Sequence, residues 1–157
     1  MMKRLFQSVL ALFSSYTGAA LASWGEFGEQ LMVPGFKTTS AYDTLGATKY
    51  VFVAAITADG AYSARLATDS NSSTLLGVLQ NGPAVGEAMS IACAGVSKVV
   101  AGAAIAANAI ITTNASGRAV TVTSGDMAAG RALEAADADG DVITAMLFHP
   151  VRWGQVA

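Results

Sequence analysis

The chain has 157 residues, enough for one core-bearing domain plus an appendage, and 53% of them are hydrophobic while only 13% are charged. A surface with so few charges is poorly solvated by water, which favours its partial burial by other subunits. The many Ala and Gly residues also raise the hydrophobic fraction. A net charge of −2 with nine scattered Lys and Arg argues against nucleic acid as a partner, because phosphate binding needs clustered cations.

The first 22 residues combine features of a secretory signal with those of an amphipathic helix. A basic start, the apolar run 5–13 and an Ala-x-Ala motif ending at Ala22 match a cleaved signal, but Gln7 and Ser8 interrupt the run. The segment is too short and too broken to span a membrane. Its apolar residues also fall at helical spacing, which predicts a short helix over about 4–13.

Residues 23–45 contain Gly and Pro at a density that prevents long helices and favours an extended path. The aromatic side chains Trp24, Phe27 and Phe36 on such a path gain about 1.5 to 3 kcal/mol each from full burial, so we expect them to be anchored. We therefore predict an N-terminal arm of residues 1–47, a short helix followed by an extended segment. The helix either packs on its own domain or docks on another subunit, and the sequence favours neither.

A β-domain of residues 48–150 is predicted to follow the arm. Residues 49–56 are apolar at both parities, as expected of a strand covered on both faces. A hairpin turn at Ala58–Gly60 leads into an alternating strand over 61–67. After an exposed polar loop, residues 75–80 form the next predicted strand.

The second half of the β-domain contains a predicted bulge and two predicted hairpins. The apolar parity changes at Gly95, as in a β-bulge. The small residues 101–108 are compatible with a short helix or a loop, and Gly102 favours the loop. Two antiparallel hairpins are formed by 109–113 with 118–123 and by 131–135 with 142–148. The second hairpin turns with Gly140 at positive φ. About eight short strands predict an all-β fold, a small antiparallel β-barrel or sandwich, with a C-terminal tail of residues 151–157.

No set of catalytic or metal-binding residues recurs in the sequence. His149 and Cys93 are each the single residue of their type, so they favour structural roles over a Cys-His hydrolase, and they cannot form a multi-ligand zinc site or an intrachain disulfide. Asp137, Asp139 and Asp141 resemble the start of a calcium loop, but the Glu that ends such a loop is missing, which favours turn chemistry. We predict no catalytic activity, no cofactor and no bound metal.

Five turn-and-strand segments occur in order in the second half of the chain: GVLQNGP (77–83), GVSKVVAG (95–102), NASGRAV (114–120), GRALEAA (130–136) and DGDVI (139–143). This ordered set resembles the small capsid decoration, or cement, proteins of tailed bacteriophages. The resemblance implies a structural virion protein, made in the host cytoplasm, that binds the major capsid protein on the outer capsid surface and stabilises the assembled head without chemistry. It also implies self-association, as a homotrimer around local threefold positions.

Large apolar residues of the arm and the tail are the contact residues that this assignment predicts, toward the capsid or toward a sister subunit. They are Phe6, Leu10, Phe13, Trp24, Phe27, Phe36 and Trp153. Two other functions stay open. A cleaved signal would make the chain a secreted β-sandwich binding module, and the same β-domain could serve in a tail or a head fibre.

Overall fold

The computed structural model describes residues 31–33, 35–38, 48–56, 63–70 and 72–154, and these residues form a curled, antiparallel, all-β half-barrel. Its nine strands are β1 (Leu31–Val33), β2 (Phe52–Ile56), β3 (Ser63–Leu66), β4 (Leu75–Leu79), β5 (Ile91–Val100), β6 (Ile110–Thr113), β7 (Ala119–Thr121), β8 (Met127–Ala132) and β9 (Val142–Arg152). The all-β prediction is confirmed, whereas the short helix predicted over 4–13 lies outside the described residues. In the described ranges, no helix has the length and apolar character needed to cross a membrane.

The strands form one sheet in the order β3-β2-β4-β5-β9-β8-β6-β7, with β1 added beside β5. β5 joins the two halves of this sheet, because its first residues pair with β4 and β1 while Gly95 to Val100 pair with β9. β4 and β9 lie on opposite edges of β5. β1 and β4 pair with the same residues of β5, so they lie on opposite edges of β5. β1 therefore lies on the same edge as β9, and the two strands pair with successive parts of that edge.

A β-bulge near Gly95 lets β5 bend from one half of the sheet into the other. Ala92 and Val99 both belong to the larger core cluster although an odd number of positions separates them, and an unbroken strand would place them on opposite faces. The pairing with β1 skips Cys93, which supplies the extra residue, and Gly95 has a φ of +93°. This is the parity change that the sequence predicts at Gly95.

The curl of the sheet brings the β6–β7 turn back against β2. The amide of Phe52 donates a hydrogen bond of 2.7 Å to the carbonyl oxygen of Gly117 in that turn. Gly117 has a φ of +69°, and a Cβ at this position would lie 2.9 Å from the carbonyl oxygen of Phe52. A parallel bridge between Ala101 and Ala119 adds a contact between the end of β5 and β7. The half-barrel is therefore held in its curled shape by backbone contacts that admit only glycine at residue 117.

Two hydrophobic clusters cover the two faces of β2. Phe52 and Ala54 belong to the larger cluster, which joins both halves of the sheet, and Val51 and Val53 belong to a smaller one. All four side chains are at most 1% exposed. The prediction that this strand is covered on both faces is therefore confirmed. Phe36 of the predicted arm also belongs to the smaller cluster.

The hairpins predicted in the second half of the chain are present as β6–β7 and β8–β9, although β8 covers Met127–Ala132 where the prediction was 131–135. Gly140 has a φ of +94°, as predicted, and the carboxylate of Asp141 accepts hydrogen bonds from two backbone amides of the same turn. β9 continues to Arg152, past the predicted domain end at residue 150, and β1 lies within the predicted arm. The division into arm, domain and tail stays a prediction, and the turn predicted at 58–60 lies outside the described residues.

Candidate binding surfaces

Side chains that could carry chemistry are engaged in structural contacts. Asp139 accepts hydrogen bonds from Nη1 of Arg118 at 2.7 and 2.8 Å, which links the β6–β7 turn to the β8–β9 turn. The Sγ of Cys93 donates to a carbonyl oxygen of β1 at 3.1 Å, and the Nδ1 of His149 lies 3.1 Å from the next residue's carbonyl oxygen. Among the described residues, no group of three or more His, Cys, Asp or Glu side chains could hold a metal ion. The exposed surfaces of the sheet are therefore the candidate functional sites.

Exposed large apolar side chains concentrate on and beside β9. Five of the eight found among the described residues lie there, each between 42% and 50% exposed: Leu133, Val142, Met146, Val151 and Trp153. The other three are Leu31 and Met32 of β1 and Val85 of the β4–β5 loop. The outward positions of an antiparallel strand are ordinarily polar where water covers them. A contiguous apolar patch is typical of a surface that binds another protein segment. The five residues on and beside β9 divide into two surfaces, one at the C-terminal end of β9 and one on the outward side of β5, β9 and β8.

The first surface, called the end surface, comprises Val151 and Trp153. The amide of Trp153 donates to the carbonyl oxygen of Asp126 at 2.8 Å, and its carbonyl oxygen accepts from the amide of Gly125 at 2.9 Å. The Nη1 of Arg152 donates to the carbonyl oxygen of Gly125 at 3.1 Å. The backbone is thus fixed while the indole stays 42% exposed. Trp153, one of the predicted contact residues, is accessible to a partner.

The turn beneath the end surface depends on the buried carboxylate of Asp126. Its Oδ1 accepts a hydrogen bond from the Oγ of Ser70 at 2.7 Å, and its Oδ2 accepts from the amide and the hydroxyl of Thr123 at 2.8 and 2.7 Å. Burial raises the pKa of this carboxyl, but the hydrogen bonds from Thr123 and Ser70 together outweigh burial and hold the pKa below its usual value. Asp126 therefore joins three parts of the chain: its carboxylate ties a distant loop to this turn, and its backbone carbonyl oxygen holds the end of β9.

The second surface, called the outer face, is the outward side of the adjacent strands β5, β9 and β8 with the residue that follows β8. Cross-strand pairing places Val96 beside Met146, and Met146 beside Arg131. The outer face comprises Val96, Lys98, Arg131, Leu133, Val142, Thr144 and Met146. On the opposite side of the same strands, Val99 and Ile143 are buried in the larger core cluster. Val100, which pairs with Val142 on this side, packs against the smaller core cluster, and the rest of the outer face is the solvent side of a sheet whose inner side is already packed.

Charged side chains border the apolar part of the outer face. Lys98 and Arg131 are exposed, and the salt bridge found among the described residues uses neither of them. Glu134 accepts a hydrogen bond from the amide of Thr144 at 2.9 Å. The hydrogen bonds from Thr144, with a smaller contribution from the charge of Lys98, hold the pKa of Glu134 below its usual value. The outer face therefore combines apolar side chains with an excess of positive charge.

The structure describes two of the predicted contact residues. Trp153 is exposed on the end surface, whereas Phe36 is only 9% exposed and packs in the smaller core cluster, which leaves little of its side chain for a partner. The other predicted contact residues lie outside the described residues: Phe6, Leu10, Phe13, Trp24 and Phe27.

Sequence analysis did not single out the outer face. The signal for it was present in β9, which is apolar at outward positions such as Val142 and Met146 as well as at inward positions such as Ile143 and Leu147. Apolar residues at both parities indicate a strand covered on both sides. The same interpretation applied to residues 49–56 would have predicted a covering partner for this face.

Comparison with known proteins gives a family match and a fold match. Residues 38–147 match a family model described as phage cement protein. No curated protein matches the chain. Among solved structures, the chain is similar to the N base of the head fiber gp8.5 of bacteriophage phi29, with 20% sequence identity and a TM-score of 0.55, covering 74% of this chain and 94% of that chain. At that identity the likeness shows the fold alone. The family match spans the whole outer face.

Proposed function

Because this chain belongs to the phage cement protein family, we propose that it binds the outer surface of the phage capsid and stabilises the assembled head by bridging major capsid protein subunits. The observation that carries this proposal is the family match over residues 38–147, which include most of the described β-domain. The similarity of the fold to the base of a head fiber supports a place on the phage head. The protein acts by binding alone, without a catalytic step, a cofactor or contact with nucleic acid.

The proposed binding unit is a homotrimer at the local threefold positions of the head. Several capsid subunits meet at such positions, so one trimer contacts several neighbours at once. Linked contacts bind far more tightly than any single contact, provided that the geometry allows them to form together. The low charge content of the chain, 13% of residues, supports contact with other subunits, because a sparsely charged surface loses little solvation when it is buried.

The end surface is the described part of the proposed capsid contact. Trp153 is its anchor, since large aromatic side chains dominate the energetics of most protein interfaces. The hydrogen bonds of Asp126 fix the backbone beneath this side chain, so less conformational freedom is lost on binding. The arm residues Phe6, Leu10 and Phe13 extend the contact onto the capsid or onto a sister subunit.

Co-sedimentation of the purified protein with undecorated, expanded heads tests this proposal. We expect the bound copies to saturate at a number that matches the local threefold positions, and the decorated heads to withstand heating better than bare heads. Heads that already carry the protein serve as the control and should bind no more of it. A protein that stays monomeric in solution and leaves expanded heads bare at saturating concentration is not a cement protein.

A component of a head fibre is the second candidate, because the similar solved structure is the base of such a fibre. The two functions predict different copy numbers. A cement protein occupies every equivalent position and is present in hundreds of copies per particle, whereas a fibre component is present in far fewer. Quantitative mass spectrometry of purified virions, calibrated against the major capsid protein, separates the two.

A further inference from the structure

We infer that Asn81 is a deamidation site that the fold protects, and that deamidation there loosens the contact between residues 36–38 and the β4–β5 loop. This loop comprises residues 80–90, between the end of β4 at Leu79 and the start of β5 at Ile91. The modification needs no partner, so it lies outside the proposed binding to the capsid and does not rest on it.

The sequence at Asn81 favours deamidation because glycine follows the asparagine. The chain has four asparagines, and Asn81 alone precedes a glycine, whereas Asn71, Asn108 and Asn114 do not. Glycine has no side chain to shield its backbone nitrogen from the preceding asparagine. In the structure Asn81 is half-buried and Gly82 is exposed, so water reaches both residues.

The reaction consumes only water. The backbone nitrogen of Gly82 attacks the Cγ of Asn81, the Cγ–Nδ2 bond breaks, and the departing amide group takes up the proton of the Gly82 nitrogen and leaves as ammonia. Water then opens the resulting succinimide ring at one of its carbonyl carbons. Opening at the side-chain carbonyl gives aspartate. Opening at the main-chain carbonyl gives isoaspartate, which carries an extra methylene group in the main chain.

Two hydrogen bonds hold the side-chain amide of Asn81 toward the end of the loop. Its Oδ1 accepts from the amide of Ser90 at 2.9 Å, and its Nδ2 donates to the carbonyl oxygen of Ala88 at 2.9 Å. We call this pair of bonds the clasp. The Cγ must leave the clasp to meet the nitrogen of Gly82. The amide therefore reacts only in molecules whose loop has opened.

The clasp fits an amide and not a carboxylate. The N–H of Ser90 requires an acceptor and the carbonyl oxygen of Ala88 requires a donor, and the side chain of Asn81 supplies one of each. An ionised carboxylate only accepts hydrogen bonds. Deamidation to aspartate therefore places a charged oxygen against the carbonyl oxygen of Ala88. Isoaspartate also lengthens the main chain beside β4, so neither product restores the clasp.

The stretch that the clasp holds also pairs with residues 36–38. Ala88 forms an antiparallel bridge with Lys37, and the amide of Met89 donates to the carbonyl oxygen of Phe36 at 2.9 Å. Residues 87–89 are thus fixed on one side by residues 36–38 and on the other side by the clasp. Loss of the clasp removes one of these two supports, and the contact with residues 36–38 loosens.

Deamidation rates in the folded and the unfolded chain test the protection. Peptide mapping by mass spectrometry measures the loss of the amide in mildly alkaline buffer, with and without urea. We expect Asn81 to react about tenfold or more slowly in the folded protein, because only the open fraction reacts. Gly82→Ala is the control, since a methyl group beside the attacking nitrogen should suppress most of the reaction in urea.

Asn81→Asp imitates the aspartate product and tests its consequence. It should lower the urea midpoint and speed hydrogen exchange at the amides of Thr38 and Met89. Asn114→Asp is the matched control, because the Oδ1 of Asn114 accepts hydrogen bonds from two backbone amides at 2.9 and 3.0 Å and a carboxylate keeps both bonds. This control should leave the midpoint and the exchange almost unchanged.

Three results would overturn the inference. They are a folded protein that deamidates at Asn81 as fast as the unfolded chain, an Asn81→Asp variant with the midpoint and exchange of the wild type, and equal losses in Asn81→Asp and Asn114→Asp. If Asn81→Asp does not fold, the deamidation rates of the wild-type chain still decide whether the fold protects the site. None of these measurements uses heads, so this inference and the capsid proposal can fail separately.

Discussion

At Asp126, three donors from two segments of the chain converge on one buried carboxylate. Hydrogen bonds to an ionised acceptor are stronger than neutral ones. Without the carboxylate, the loop at Ser70 and the turn at Thr123 would lose the bonds that join them. The same turn holds the backbone of Trp153, so the stability of this turn and the geometry of the end surface are linked.

Asp126→Ala should lower the free energy of unfolding by about 1 to 3 kcal/mol, because it removes three hydrogen bonds to a buried, ionised acceptor. Urea denaturation measures the change. Asp139→Ala is the control, since Asp139 is exposed and pairs with Arg118 at the surface, where a salt bridge contributes about 0.2 to 1 kcal/mol. Equal losses in the two variants would contradict a special role for Asp126.

The same carboxylate should make stability depend on pH in the acid range. The pKa of Asp126 is lower in the folded protein than in the unfolded chain, so its contribution is complete above the unfolded pKa and is lost as the pH falls through the folded pKa. The stability advantage over Asp126→Asn should therefore be largest near neutral pH and shrink below about pH 4.

The pH series belongs on a Glu134→Gln background, because the pKa of Glu134 is also lowered and its titration would add a change of the same sign. Urea midpoints across the acid range give the comparison. A stability difference between the two proteins that stays constant down to about pH 2 would mean that Asp126 does not titrate with folding.

Among the elements, the β6–β7 turn limits how far the sheet can open, because it bonds directly to β2. Gly117→Ala should be more destabilising than Gly125→Ala, by about 1 to 3 kcal/mol. Both glycines have positive φ, at +69° and +96°, so both variants carry backbone strain. Only at Gly117 would the new Cβ also meet β2, whereas nothing lies within 4 Å of it at Gly125. Urea denaturation compares the two, and equal midpoints would rule out a tight contact of the turn with β2.

The elements that could be predicted from the sequence are those with a local signal. Three features have a sequence signal within a few residues of the structure that it specifies. They are the apolar residues at both parities of β2, the parity change at Gly95 and the turn at Gly140. β1 gave no such signal. Its three residues are extended because they pair with β5, far along the chain, and a pairing of that kind leaves no local periodicity to detect.

The binding surfaces were predictable only in part, for a related reason. Trp153 follows the last strand, where a large side chain has little of the domain left to cover it, and it is exposed. Phe36 has the same sequence character as the other aromatic residues of the arm, yet it packs in the core. Whether an aromatic side chain packs in its own domain or contacts a partner depends on the tertiary position of its segment. Composition cannot supply that position.

For the molecule as a whole, the proposed head binding can be assigned to the end surface or to the outer face by substitution. Trp153→Ala should weaken binding to expanded heads about tenfold or more, as expected for the loss of an aromatic anchor, and leave the urea midpoint almost unchanged. Leu133→Ala is the control, because Leu133 has the same 42% exposure but lies on the outer face. Co-sedimentation measures both. A similar loss in both variants would mean that the end surface is not the capsid contact.

The end-to-end arrangement of β1 and β9 along one edge of β5 also determines how the molecule would carry a mechanical load. In the proposed role, a pressurised head would pull the protein between two attachments, the arm before β1 and the end surface after β9. That tension passes from β1 into β5 and from β5 into β9, parallel to the strands. Antiparallel hydrogen bonds lie perpendicular to the strands, so the tension shears every bond of a ladder together instead of peeling the bonds apart in sequence. The short β1–β5 ladder is then the weakest part of this path, and it is the first part expected to give way under tension.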